Sequence, residues 1–394
     1  MLKKYVSAFG VCLFAFTINA QNNDVARVLE EVEQNNNELK AFASLMESKK
    51  LEDRSSNNLN NPQFDAYYLP FGNHSTTDYT EYQISQTFEF PSVYSVRNGL
   101  IKKRQRGLEL SYQTKKQDVL LAAKKYCLEL IILNKTLVIE QTRVAQASQV
   151  FGQVKALFAQ EQIGVLTFNK AKIAWLQEQF NIQKIELDRQ NLLASLKTLN
   201  GGNSIALTSD KLDNNYTLMG IDALWSEKLK TDPTLVSMHQ KETIALQELK
   251  LSKHKALPDI NAGYNKQGFA GENYSGFYGG IAIPLFGNRN KVKAAQANFQ
   301  FQKSYSNVLT TEAKATFERQ YKEYNLLLSK YQEYKQTLDG LNSDALLLKA
   351  YELGEISFME YYVELQFYRQ AADTMLSIEK QLNLLKADLE KHQF

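Results

Sequence analysis

The chain has 394 residues with 18 Gly, only 6 Pro, 11% aromatic residues and a formal net charge of +3. That length serves two or more ordinary domains, and the sparse Gly and Pro leave little of it punctuated by turns. The charge is too small to point to nucleic acid, and acidic and basic residues mix along helical segments as on solvated faces.

The N-terminus reads as a secretory leader over 1–20: Lys3 and Lys4, a mostly apolar run from Val6 to Ile18, then the small residue Ala20. Cys12 lies inside it, but Val11 before it suits lipid attachment poorly, so plain cleavage is expected. The remaining cysteine, Cys127, sits among Tyr126, Leu128 and Leu130, the setting of a packed thiol. Beyond the leader no run of 18 apolar residues occurs, so no membrane-spanning helix is expected. A periplasmic, a secreted and an outer-membrane barrel protein all remain open.

Asn23 to Arg54 predicts a polar helix. Tyr82, Ile84, Phe88 and Phe90 then alternate with Gln83, Ser85, Thr87 and Glu89, a strand with one apolar and one polar face. Phe64 to Phe71 is a weaker strand, and Gly72 to Asp78 is the loop between them. From Val96 to about Leu157 a heptad seam runs through Val119, Ala123, Tyr126, Leu130, Leu133, Leu137, Glu140, Val144, Ala147, Phe151, Val154 and Phe158. Glu140 is its one polar position. Such a helix is roughly 90 Å long at 1.5 Å per residue. A return helix spans Phe168 to Leu199 and stops at Asn200-Gly201-Gly202.

After a polar, irregular stretch over 203–220 the pattern restarts. Ile221 to Lys255 is helical with a break at Asp232-Pro233. Strands follow around Ile260 to Asn265 and Gly276 to Phe286, with Lys266 to Ser275 as a loop between them. A second long helix is expected from Asn290 to Leu348, its seam carrying Phe317, Tyr321, Tyr324, Leu328 and Tyr331. A final helix reaches the C-terminus. Gly164, Leu166, Thr167 and Phe168 recur as Gly354, Ile356, Ser357 and Phe358, and Pro62 recurs as Pro258 at a similar spacing. Two structural repeats, 21–202 and 221–394, joined by a linker at 203–220, account for this. Each doubled Gly-x-aliphatic-hydroxyl-Phe stretch is the expected hairpin tip, with Gly164 and Gly354 supplying backbone freedom and the aliphatic and Phe residues packing the return helix.

The expected fold is mainly α with a small transmembrane β part. Four strands cannot close a barrel, and open sheet edges cannot sit in lipid, so copies of the chain must complete them. Three chains supply twelve strands, together with a tube of coiled-coil helices.

The two tips IGVLTFNKA and LGEISFMEY, and LPDINAGY followed by YGGIAIPLFGNRNKVKAAQA, make the chain resemble the TolC family of outer-membrane efflux proteins across nearly all of the mature sequence. The stretch EYQISQTFEFPSVYSVR is similar to the cobalt–zinc–cadmium efflux branch. The resemblance implies a homotrimeric conduit in the outer membrane of a Gram-negative bacterium. It also implies a β-barrel in outer-membrane lipid, an α-barrel crossing the periplasm, a periplasmic adaptor (membrane fusion) protein and an inner-membrane proton-driven (RND-type) pump. The cargo it suggests is heavy-metal cations; drug efflux or type I secretion by the same fold is the alternative. A periplasmic adaptor is the less favoured reading, because an adaptor shows one helical hairpin and this chain shows two.

At the tip the resemblance implies a constriction. Glu360 matches an acidic ring position and Tyr351 a gate tyrosine, with Glu355 and Glu364 as further acidic candidates. Ile356 stands where a basic gate residue is common, Val363 where a second acidic one is, and Lys170 replaces an acidic residue in the first tip. No catalytic pattern, cofactor or metal site is expected: His74, His239, His254 and His392 are scattered, and Met46, Met219, Met238, Met359 and Met375 form no ladder.

Overall fold

A computed structural model describes residues 23–70, 78–213, 215–269 and 271–394. The expected leader, with Cys12, and the loop around His74 lie outside them. Helices α1 (Asn23–Asn35) and α2 (Asn37–Ser55) lead to strands β1 (Gln63–Leu69) and β2 (Tyr79–Phe88). The long helix α3 (Pro91–Ala159) and its return α4 (Val165–Leu199) follow. The second half gives α5 (Ile221–Thr231), α6 (Pro233–His254), β3 (Asp259–Phe269), β4 (Glu272–Ala282), α7 (Lys291–Leu338), α8 (Ser343–Glu352) and α9 (Phe358–Leu389). A short 3-10 turn, Lys391–Gln393, ends the chain.

The four strands form one antiparallel sheet in the order β1-β2-β3-β4. Register sorts its faces. Ile84 lies opposite Phe64 on one side and Tyr264 on the other, and Tyr264 opposite Phe277. On this apolar face Tyr82 and Ile84 are half exposed, and Phe277 is 90% exposed. The other face is a polar network: Glu81 accepts from the Tyr79 hydroxyl at 2.7 Å, from Gln267 at 3.3 Å and from Asn265, while Gln83 meets the Tyr278 hydroxyl. The expected alternation is therefore present.

Several boundaries differ from expectation. The first helix breaks at Asn36, whose side chain accepts from the Leu39 amide at 2.9 Å and donates to the Leu199 carbonyl at 2.8 Å, so it competes with helix continuation. The expected loop at Lys266 to Ser275 is mostly strand, with pairing continuing through Gln267–Tyr274 to Phe269–Glu272. The last strand stops at Ala282, two residues before Pro284, which has no amide to donate. Phe90 lies past β2 and precedes α3. The second long helix ends at Leu338, ten residues before the expected end, and α8 starts anew at Ser343.

α3 runs unbroken for 69 residues, about 100 Å. It packs against α4 and α9 towards the tips and against α2 and α6 towards the sheet. One core gathers Val28, Ala123, Cys127, Leu130 and Leu196 with Ile205, Leu207 and Leu212, so the irregular 203–220 stretch contributes apolar packing as well as polar surface. A second core holds Phe317, Tyr324 and Tyr331 against Leu382 and Leu389. Cys127 is fully buried, as its neighbours predict, and burial pushes its thiol up to about 12.

Candidate functional site

The two hairpin tips lie side by side at the end of the helical layer. In the first, Phe168 on α4 stacks on Phe158 at 4.7 Å and tilts against Phe151 at 5.8 Å, both on α3. In the second, Phe358 is buried and meets Tyr351 edge-on at 6.4 Å, while Tyr351 stacks on Tyr361 at 5.3 Å. Both phenylalanines thus pack the return helices as the repeated motif predicts. Ile356 is partly buried with them, but Leu166 is 73% exposed and packs nothing comparable.

The glycines behave differently from each other. Gly354 has φ +75°, the left-handed backbone that favours glycine. Gly164 has φ −78° and extended backbone, a conformation open to any residue. The left-handed residue of the first tip is Glu161, at φ +59°. The expectation that both glycines serve the reversal holds only for Gly354.

Glu360 opens α9. Its carboxylate accepts from the Ser357 amide at 2.8 Å, and the Ser357 hydroxyl accepts from the Glu360 amide at 3.3 Å, a reciprocal capping box. The Ser357 amide holds the Glu360 carboxyl below the usual carboxylate range. Glu355, Glu364 and Lys170 are exposed and make no ion pair among the described residues. Glu352 accepts from Gln149 at 2.6 Å, joining the two tips. A groove of about 710 Å³ separates them, lined by Val154, Leu157, Ile163, Tyr351, Ile356 and Met359.

Deeper in the layer lie buried ionic contacts that the motif reading misses. Arg369 on α9 is 5% exposed and donates to Glu178 on α4 at 2.7 Å, to Gln146 on α3 at 3.0 Å and to Asp344 on α8 at 3.4 Å. One turn on, Asp373 pairs at 2.9 Å with Arg143, which also holds Glu140. Burial pushes the Glu140 carboxyl up. Glu140, the polar exception in the α3 seam, is the one sequence signal of this tier.

No cluster of His, Cys, Asp or Glu among the described residues could hold a metal ion. His254 meets the Ser92 hydroxyl at 2.7 Å and His239 the Ser306 hydroxyl at 3.5 Å, while His392 is buried. No helix among the described residues is long and apolar enough to cross a membrane.

No family model matches the chain, and no curated relative is found. Solved structures do match. CusC, whose structures describe transmembrane channel formation, superposes with a TM-score of 0.79 at 13% identity, over 94% of this chain and 92% of that one. The CmeC outer membrane channel of Campylobacter jejuni gives 0.70 at 16% identity, over 94% and 85%. The outer membrane protein VceC of Vibrio cholerae gives 0.69 at 13% identity, over 94% of both chains. The chain has a TolC-like fold. The four-stranded sheet is the small β part of this fold, and the paired α3–α4 and α7–α9 rods are its helical part.

Proposed function

We propose that this protein is the outer-membrane duct of a three-part export system, a passive conduit and not an enzyme. The observation that carries the reading is the sheet. It has an exposed apolar face, a hydrogen-bonded polar face and two open edges, β1 and β4, and it continues directly into helical rods about 100 Å long. Open edges are not tolerated in lipid, and closing them head to tail with identical copies forms a ring. Three copies give an even, twelve-stranded barrel of workable size. The polar face then lines a water-filled lumen and the apolar face meets outer-membrane lipid. In this reading residues 21–202 and 221–394 are the two repeats, joined by 203–220, behind a leader at 1–20.

The rods extend into the periplasm and end at the tips. The groove between the tips supports a periplasmic adaptor as partner, with a proton-driven inner-membrane pump behind it. Because the pump selects the cargo, the duct carries little substrate information. The similarity of the first-repeat strand region to the cobalt–zinc–cadmium branch favours metal cations. Drugs or a secreted polypeptide are the alternative cargoes. Around a threefold axis, Glu360 forms the acidic constriction, with Glu355, Glu364, Tyr351 and Lys170 at its margin. Such a ring prefers cations. Purified protein added to a planar lipid bilayer should yield discrete, cation-preferring conductance steps. Bilayers that stay silent while the protein inserts, shown by protease protection of the sheet, would contradict the duct.

A further inference from the structure

The two repeats treat one shared arginine differently. Arg97-Asn98, soon after β2, recurs as Arg289-Asn290, soon after β4. Arg97 is buried and donates to the Glu89 carboxylate at 2.7 Å. Arg97 to Arg289 is a step of 192 positions, and the same step from Glu89 reaches Ile281, so the second repeat lacks the acid. Arg289 is exposed and makes no ion pair among the described residues, and the same holds for Lys291 and Lys293. No Asp or Glu occurs from Ile283 to Thr311. Lysines in a first turn oppose the helix dipole, so the stability of α7 does not account for Lys291 and Lys293.

These cations stand where the apolar sheet face ends. Phe277 lies opposite Tyr264 and Ile281 opposite Ile260, and Ile283 and Leu285 continue the same period of two past the last ladder pair in that direction, Asp259–Ala282. Leu285 is 74% exposed and Phe286 85%. The chain then turns, with the Arg289 amide donating to the Phe286 carbonyl at 3.2 Å. The Asn288 side chain donates to the Lys255 carbonyl at 2.6 Å, which fixes this turn to the end of α6 with its exposed Lys253 and Lys255. An exposed apolar stripe thus runs directly into a cluster of cations at the helical end of the sheet. In the ring proposed above, β4 meets β1 of the next copy, and the Ala282 end lies beside the Gln63 end. Arg54 to Phe64 contains no Asp or Glu, so that neighbour brings no counter-ion either.

We propose that Arg289, with Lys291 and Lys293 beside it, binds the phosphate of an anionic phospholipid in the inner leaflet, while the acyl chains lie along Ile281, Ile283, Leu285 and Phe286. The guanidinium fork matches two phosphate oxygens, and the lysines supply the surrounding positive field. The cluster selects a net-negative headgroup over a zwitterionic one, and the step from apolar to cationic side chains sets how deep the sheet sits. The inference rests on the duct reading for its placement in the leaflet; affinity for the lipid is a property of this chain's own residues.

Native mass measurement of the detergent-solubilised full chain tests it, with phosphatidylglycerol or phosphatidylcholine of the same acyl chains added. Phosphatidylglycerol should stay bound to a greater extent than phosphatidylcholine. Arg289→Gln and Lys291→Gln should each lower phosphatidylglycerol binding about fivefold, the effect of one cation near a membrane surface. Lys322→Gln, exposed on α7 about 45 Å farther along the helix, should leave it unchanged. Inorganic phosphate at the lipid's own concentration should not displace it. If Arg289→Gln does not fold, Lys291→Gln carries the test. Equal binding of the two lipids, binding that ignores the substitutions, or displacement by inorganic phosphate would overturn the lipid site, whether or not the protein conducts. Silent bilayers with Arg289-dependent lipid binding intact would instead remove the duct reading and leave the lipid site standing.

Discussion

Replacing Ile84 by Arg tests which sheet face meets lipid. Ile84 is half exposed at the middle of β2, opposite Phe64 and Tyr264, so the substitution leaves the ladder hydrogen bonds intact and changes only what the apolar face presents. An arginine there costs about 2–4 kcal/mol if the site lies near the membrane midplane. The matched control is Gln267→Arg, on the polar face beside the Glu81 carboxylate, where the new cation gains a partner. Its cost should stay within about 0.5 kcal/mol. Reversible denaturant unfolding in lipid vesicles, followed by fluorescence of Trp175 and Trp225, reads both. Equal losses, or a larger loss for Gln267→Arg, would mean that the apolar face does not contact lipid.

Further outcomes follow from the tips and the core. Glu360→Ala should weaken cation preference and divalent block in single-channel recordings, and Lys170→Glu should favour opening; unchanged conductance and block in Glu360→Ala would move the constriction to Glu355 or Glu364. Ser357→Ala removes half the capping box and should cost about 1 kcal/mol of stability. The Glu360 carboxyl has a lowered folded-state pKa, so its capping contribution is present above the ordinary carboxylate range and is lost as pH falls through the lowered value. Amide exchange at the start of α9 should rise on acidification and should not do so in Glu360→Gln. Cys127, buried with its thiol pushed up to about 12, should resist a thiol reagent at pH 8 until the protein is unfolded; rapid labelling of the native protein would place it outside the core.

The architecture was legible because it rests on periodicity. Alternation at Tyr82–Phe88 and the seam through Phe317, Tyr324 and Tyr331 survive in the structure as faces and core. What escaped was decided by competition between local and non-local terms. Lys266 to Ser275 carries Gly268, Gly271 and Asn273 and looks like a loop, but strand pairing extends the ladder as far as Phe269 and Glu272. Asn36 and the 339–342 turn interrupt otherwise helical patterns, because one polar side chain in the first case and two left-handed residues in the second outweigh the apolar seam. Gly164 carries the motif without the left-handed backbone, which the first tip places at Glu161. The Arg369 cluster joins residues from four helices between positions 146 and 369, so no local pattern announces it.

The claim on which the rest depends is that identical copies close the open sheet. Native mass measurement of the detergent-solubilised protein tests it directly. The expected result is a species of three chains that keeps its β-structure and falls apart only as the sheet unfolds. A monomer with the four-stranded sheet intact would contradict it.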